Sequence, residues 1–99
     1  MKTRYEKNGT ELIYHIEGVL DTASAPVMEQ EIMPLLEGVT ALKIDVSQME
    51  YILSAGVRVI MRAAKDMMKK KATVRITGTN DKVKDIFRTL GLTSLVMME

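Results

Sequence analysis

In the run Ile52-Leu53-Ser54-Ala55-Gly56, a serine stands two residues ahead of a glycine, just where a helical pattern begins. A serine on such a turn can serve as a nucleophile, and Ser-x-Gly is half of the G-x-S-x-G elbow used by many hydrolases. Here Ile52 takes the place of the leading glycine. His15, the only histidine, precedes the serine, whereas those hydrolases place theirs after it. Acyl transfer at Ser54 is therefore disfavoured. Two other kinds of chemistry suit the position. As an N-cap, the Ser54 oxygen would accept the N–H of Gly56 or Val57, typically worth about 1 kcal/mol. As a phosphate carrier, it would place about −1.5 to −2 charge at a helix N-terminus, where free N–H groups and the dipole favour an anion. Gly56 is expected to leave the backbone uncovered for that phosphate, so that the helix survives modification while the surface around it changes sign.

Little else in the chain could do chemistry. There is no cysteine, which excludes disulfides, thiolate metal sites, iron–sulfur clusters and a cysteine nucleophile. A single histidine rules out any mechanism needing two imidazoles, and His15 reads as a surface or hydrogen-bonded structural residue in a strand. No P-loop, dinucleotide fingerprint or metal-ligand spacing occurs, so no cofactor is expected. Lys69-Lys70-Lys71 ends a helical pattern, where cations suit the dipole and are usually solvated. Of the nine methionines, Met61, Met67 and Met68 fall on the apolar stripe of that helix and read as core.

The elements that must position Ser54 belong to one domain spanning residues 1–99, since two cores do not fit in a chain of this length. Apolar residues make up 46% and charged residues 27%, a globular composition, so disorder is not expected. The net charge of +1 argues against a general nucleic-acid or membrane-surface binder. No signal-peptide h-region and no run near about 18 apolar residues is present, so a cytoplasmic location is the default expectation.

Thr3 to Glu17 reads as two strands around Asn8-Gly9, a pair suited to a type I′ hairpin turn. The second strand is expected from Thr10 to Glu17, with Leu12, Tyr14 and Ile16 on the more apolar face, followed by a connection from Gly18 to Ser24. A first helix is predicted over 25–36, with Pro26 in its first turn and Pro34 forcing a kink or an early end. Ala41 to Val46 suits a central strand, followed by a loop reaching Ser54. The second helix shows the clearest pattern, with Val57, Ile60, Met61, Ala64, Met67 and Met68 on one face. Arg58 and Arg62 lie on its outer face, with Val59 expected to be exposed beside them. Ala72 to Thr77 returns to strand. Asn80 is expected to cap a third helix through Leu90 that ends at Gly91, before a last apolar segment from Ser94 to Met98. Strands alternating with helices predict an α/β fold, a mixed sheet of four to five strands covered by helices.

The stretch from Asp45 to Val59 resembles the signature of the STAS family, the sulfate-transporter and anti-sigma-factor-antagonist domain. It has a strand ending in Asp-x-Ser, an aromatic, a turn with serine, then Ala, Gly and an apolar helix start. Gly18-Val19-Leu20-Asp21 is similar to the family's Gly-x-Leu-Asp, and Val83 to Leu92 to its late helix ending in Gly-Leu. The matches come in the family's order and cover nearly the whole chain. Leu53 stands where Ser or Asp is frequent, and Ala55 where some relatives have serine, which leaves Ser54 as the one hydroxyl in the turn.

The resemblance implies a regulator without catalysis of its own. Such proteins bind an anti-sigma factor that is also a serine kinase and so free a sigma factor. The kinase phosphorylates the serine matching Ser54, and a serine phosphatase restores it. Asp21 matches an acidic residue in the loop beside the phosphorylated turn, with Ser24 at the end of that loop, and Asp45 matches a position at the end of the neighbouring strand. Together with Leu53 as an apolar anchor, Gly56, Arg58, Val59 and Arg62 complete the expected partner surface. A monomer is expected, a weak dimer being the open alternative, without nucleic acid or membrane. The alternatives are a STAS-like subunit of another signalling, transporter-associated or lipid-trafficking assembly, and a small ligand- or nucleotide-binding module.

Overall fold

A computed structural model describes residues 1–98. The elements run β1 (Lys2–Asn8), β2 (Glu11–Leu20), α1 (Ala25–Leu35), β3 (Ala41–Ile52), α2 (Ser54–Lys69), β4 (Thr73–Thr77), α3 (Asp81–Thr89) and β5 (Met97–Met98), with a 3₁₀ turn at Leu92–Ser94. They build one five-stranded mixed sheet in the order β1-β2-β3-β4-β5. β1 is antiparallel to β2, and every later neighbour is parallel. Each helical crossover advances one strand in the same direction. Right-handed connections then put all three helices on one face. Burial agrees: Leu42, Ile44, Val46, Val74 and Ile76 are buried, while their neighbours Lys43, Thr73 and Arg75 are exposed.

The helices complete the core with Met28 and Ile32 from α1, Ile60, Ala64 and Met67 from α2, and Val83 and Phe87 from α3. Tyr14, fully buried, donates its hydroxyl to Glu31 Oε1 at 2.6 Å, and Thr3 Oγ1 donates to the same oxygen at 2.7 Å. One carboxylate thus ties β1 and β2 to α1. Burial, then the Glu31 hydrogen bond, pushes the Tyr14 phenol well above its ordinary value.

Several boundaries differ from those read in the sequence. Asn8 pairs with Glu11, so the hairpin loop is Gly9-Thr10 and not Asn8-Gly9. Gly9 has φ +60° and Thr10 does not share the positive φ, which is the type II′ pattern. β2 continues to Leu20, and β3 continues through the expected loop as far as Ile52. Its second half pairs with β2 in the register Gly18↔Met49, Val19↔Tyr51 and Leu20↔Ile52, with irregularities that absorb extra residues. α1 takes the early end: it stops one residue after Pro34. Met68 is 50% exposed and so is not core, because the buried arc of α2 is centred on Ile60 and Ala63. α3 matches its expectation, with Asn80 as cap and Gly91 at φ +82° past its end.

Candidate functional site

The turn carrying Ser54 is set by strand pairing. Leu53 N–H donates to Leu20 O at 2.9 Å, continuing the β2–β3 ladder by one bond. That bond holds Leu53 extended, at φ −99° and ψ 166°, and its carbonyl accepts the N–H groups of Gly56 (2.9 Å) and Val57 (3.2 Å). Leu53 is therefore the N-cap, without a side-chain cap, and Ser54 is the first helical residue. The sequence expectation that Ser54 caps the helix is corrected by one position. The Ser54 side chain is exposed, and among the described residues its hydroxyl makes no hydrogen bond. Among the same residues the N–H groups of Ser54 and Ala55 have no partner either, whereas that of Gly56 is taken.

Gly56 has a different reason from the one expected. It is buried, and a Cβ there would lie 2.5 Å from Leu20 Cγ and 3.0 Å from Ile52 Cγ1. Its missing side chain lets the first turn of α2 settle onto the ends of β2 and β3; it does not uncover backbone for a ligand.

The Leu20–Leu53 bond brings the Asp21 turn beside the Ser54 turn. Asp21 Oδ1 accepts Ser24 N–H (2.8 Å), Ser24 Oγ (2.9 Å) and Ala23 N–H (3.1 Å), and Asp21 N–H donates to Ser24 Oγ at 2.9 Å. The Ser24 backbone N–H, then its hydroxyl, hold the Asp21 carboxyl below the usual carboxylate range. Asp21 and Ser24 are thus engaged with each other, closing a rigid loop next to Ser54.

Asp45 is not at this turn. It lies inside β3, because that strand runs on to Ile52. Its Oδ2 is 2.7 Å from His15 Nδ1 and its Oδ1 accepts Ser47 N–H at 2.9 Å, on the sheet face that no helix covers. Partial burial alone would raise this carboxyl. The Ser47 N–H and hydroxyl and the His15 ring outweigh that and hold it low. His15 is accordingly hydrogen-bonded and structural, as its strand position suggested.

On α2, Arg58 and Arg62 are exposed, and Arg62 Nη1 reaches Glu29 Oε2 of α1 at 3.1 Å. Val59 is only 5% exposed, which corrects the expectation of an exposed valine between arginines. α2 touches α1, β3 and β4, so its buried arc is wider than a single stripe and takes in Val59 and Ala63 as well.

Two exposed residues that sequence reasoning missed lie in the strand ends that lead to the Asp21 and Ser54 turns. Val19 (37% exposed) and Tyr51 (42%) are register partners, and with Leu53 (39%) they leave apolar surface exposed at that end of the sheet. The signal was parity: once Leu20 and Ile52 face the core, Val19, Tyr51 and Leu53 must face out. Among the described residues no cluster of His, Cys, Asp or Glu could hold a metal ion. No helix among them is long and apolar enough to cross a membrane.

Residues 3–97 match the family described as "Mlab, STAS domain", which accounts for all of this architecture. The chain belongs to the STAS domain family. The resemblance read from its three motifs is thereby shown. Over 96 residues this STAS domain is 27% identical to BtrV of Bordetella bronchiseptica, a provisionally assigned anti-sigma factor antagonist, covering 96% of this chain and 83% of that one. It is 24% identical to the anti-sigma-B factor antagonist of Bacillus subtilis over 91 residues, covering 92% and 84%. Among solved structures, the unphosphorylated anti-sigma factor antagonist SpoIIAA superposes with a TM-score of 0.80 at 12% identity, over 99% of this chain and 87% of that one.

Proposed function

We propose that this STAS domain is an anti-sigma factor antagonist. It binds an anti-sigma factor with serine kinase activity, so releasing a sigma factor, and phosphorylation at Ser54 ends the binding. A serine phosphatase resets it. The domain itself does no catalysis. One observation carries the reading: an exposed hydroxyl sits at the first position of α2, unbonded among the described residues, with two N–H groups behind it that have no partner among them, next to the exposed Leu53 and at the end of the sheet where Val19 and Tyr51 are exposed. The two curated relatives bear names of this function. A structural neighbour is the Bacillus protein SpoIIAA in its phosphorylated form.

The physical logic is a change of sign on a desolvating contact. Apolar surface around Ser54 favours association by excluding water. A phosphate there brings about −1.5 to −2 charge into the same contact. Burying that charge costs several kcal/mol unless the partner supplies a cation. The helix tolerates the group, because Ser54 and Ala55 offer N–H donors at the positive end of the dipole. Asp21 and Ser24 brace the neighbouring loop, Leu53 anchors the contact, and Arg58 and Arg62 border it. Gly56, Val59 and Asp45 act from within, by shaping the elements.

The test uses the cognate kinase with ATP. Intact-mass spectrometry should show one phosphate on the wild-type domain and none on Ser54→Ala. In titration calorimetry Ser54→Ala should bind the anti-sigma factor persistently and Ser54→Asp poorly. Phosphate mapping to Ser47, Thr22 or Ser24, or equal affinity of the two variants, overturns the reading.

A further inference from the structure

Between α1 and α2 runs an open groove of about 440 Å³. Its floor is Met33 from α1 and Met61 from α2, both half-buried against the core. Its rim carries Arg58, Arg62, Lys65 and Lys69 against a single acid, Asp66. Arg62 is paired with Glu29, and Asp66 lies 3.6 Å from Lys70. Among the described residues, Arg58, Lys65 and Lys69 have no acidic partner within salt-bridge distance.

The whole chain carries only +1, so this is a local concentration of charge. The helix dipole explains Lys69, in the last turn, but works against Arg58, near the start of the same helix. Residues 58, 61, 62, 65 and 69 fall at i, i+3, i+4, i+7 and i+11, which is one face of α2. With Met33 of α1 opposite, the groove combines two flexible thioethers with aliphatic Arg and Lys stems that end in charge.

We propose that this groove docks an acidic amphipathic helix of a partner protein, with apolar side chains on Met33 and Met61 and carboxylates on Arg58, Lys65 and Lys69. The groove lies between two helices, where no sheet edge offers backbone partners to a strand. A helix satisfies its own backbone and lays one face into such a groove. Nucleic acid fits less well: none of the lining residues is aromatic, so bases have nothing to stack on, and Asp66 interrupts the cationic rim. The groove meets the border of the Ser54 contact at Arg58 and Arg62 but does not include Ser54, so its test reads Lys65 and Lys69, which the Ser54 reading does not use.

The test uses a fluorescein-labelled peptide of about 15 residues, long enough to be helical, with leucines at i, i+3, i+4 and i+7 and glutamate elsewhere. A counterpart carries lysine in place of each glutamate. The acidic peptide should bind the full chain, shift the Met33 and Met61 methyl resonances, and weaken as salt rises. Lys65→Glu with Lys69→Glu should reduce affinity at least about tenfold. Lys43→Glu, on the opposite sheet face, should leave it unchanged. Melting curves of each variant verify folding. Equal binding of both peptides, shifts on the open sheet face, indifference to the double charge reversal, or displacement of the peptide by single-stranded DNA or phosphatidylserine vesicles at lower concentration overturns the proposal.

Discussion

α2 and α3 begin in opposite ways. At α3, Asn80 Oδ1 accepts Val83 N–H at 2.8 Å, its Nδ2 donates to Met49 O at 3.2 Å, and Asp81 occupies the first turn. At α2, the cap is Leu53 without a side-chain bond, no acid lies in the first turn, and Ser54 is unbonded. Both starts are held against the sheet by a glycine. Gly78, at φ +78°, leads toward Asn80 and lies against Ser47, while Gly56 lies against Leu20. Among the described residues each start keeps two backbone N–H groups without a protein partner, Asp81 and Lys82 in α3 and Ser54 and Ala55 in α2. What differs is the side chains: α3 has its Asn80 cap and an acid already in its first turn, whereas α2 forgoes about 1 kcal/mol of capping and sets an uncharged, exposed hydroxyl at the positive end of the dipole.

The glycines give the largest effects. Gly78→Ala would bring Cβ to 2.6–2.8 Å from the Ser47 Cβ and backbone at a positive φ. It should destabilise by about 2–4 kcal/mol, summing overpacking with left-handed strain. Gly56→Ala meets a side chain, and the helix propensity of Ala returns about 1 kcal/mol, so a net loss of about 1–2 kcal/mol is expected. Urea unfolding measures both, and a reversed order would mean the two helix starts are not anchored as described.

Asn80→Ala should cost about 1–2 kcal/mol, since it removes a cap and the Met49 carbonyl loses its donor. For a domain this size each kcal/mol lowers Tm by roughly 4–8 °C. Ser54→Ala should change stability by less than about 0.5 kcal/mol, because an exposed, unbonded hydroxyl is lost. Similar melting shifts for the two variants would erase the contrast between the ends.

Acid sharpens the same contrast. The Asp21 carboxyl is held low, so its contribution is fully present above the ordinary carboxylate value of about 3.9 and is lost as pH falls through the lowered one. The Asn80 amide does not titrate. Amide exchange between about pH 5 and pH 2 should show Ala23 and Ser24 losing protection while Val83 keeps it. Asp21→Asn should abolish that difference in the loop beside Ser54.

Phosphorylation of Ser54 gives the smallest expected change in the fold, neutral or about 0.3–1 kcal/mol stabilising. Amide shifts should be confined to the turns around Asp21 and Ser54. A Tm lowered by more than about 10 °C, or shifts spreading through β3, would mean a conformational switch instead.

What was legible in the sequence was local. The i, i+3, i+4 spacing placed α2 and α3, Asn80 and Gly91 marked the ends of α3, and Pro34 ended α1, each within a few residues of chain. The Ser54 turn was legible as a motif but not as geometry. β3 alternates up to Val46 and then buries Met49 and Ile52 three apart, a spacing that is not a strand pattern, so that half read as loop. Only pairing with the irregular end of β2 makes it strand. The same pairing moved the helix cap from Ser54 to Leu53, turned Val19 and Tyr51 outward and left Asp45 inside its strand. Contact with α1 widened the buried arc of α2 over Val59. The sequence by itself determined the order of elements, the apolar stripes and the one hydroxyl in the turn, because these depend on neighbours within one or two helical turns. The tertiary structure decided which groups around that hydroxyl are free, because Leu20 and Leu53 are far apart in the chain and meet only when the sheet forms.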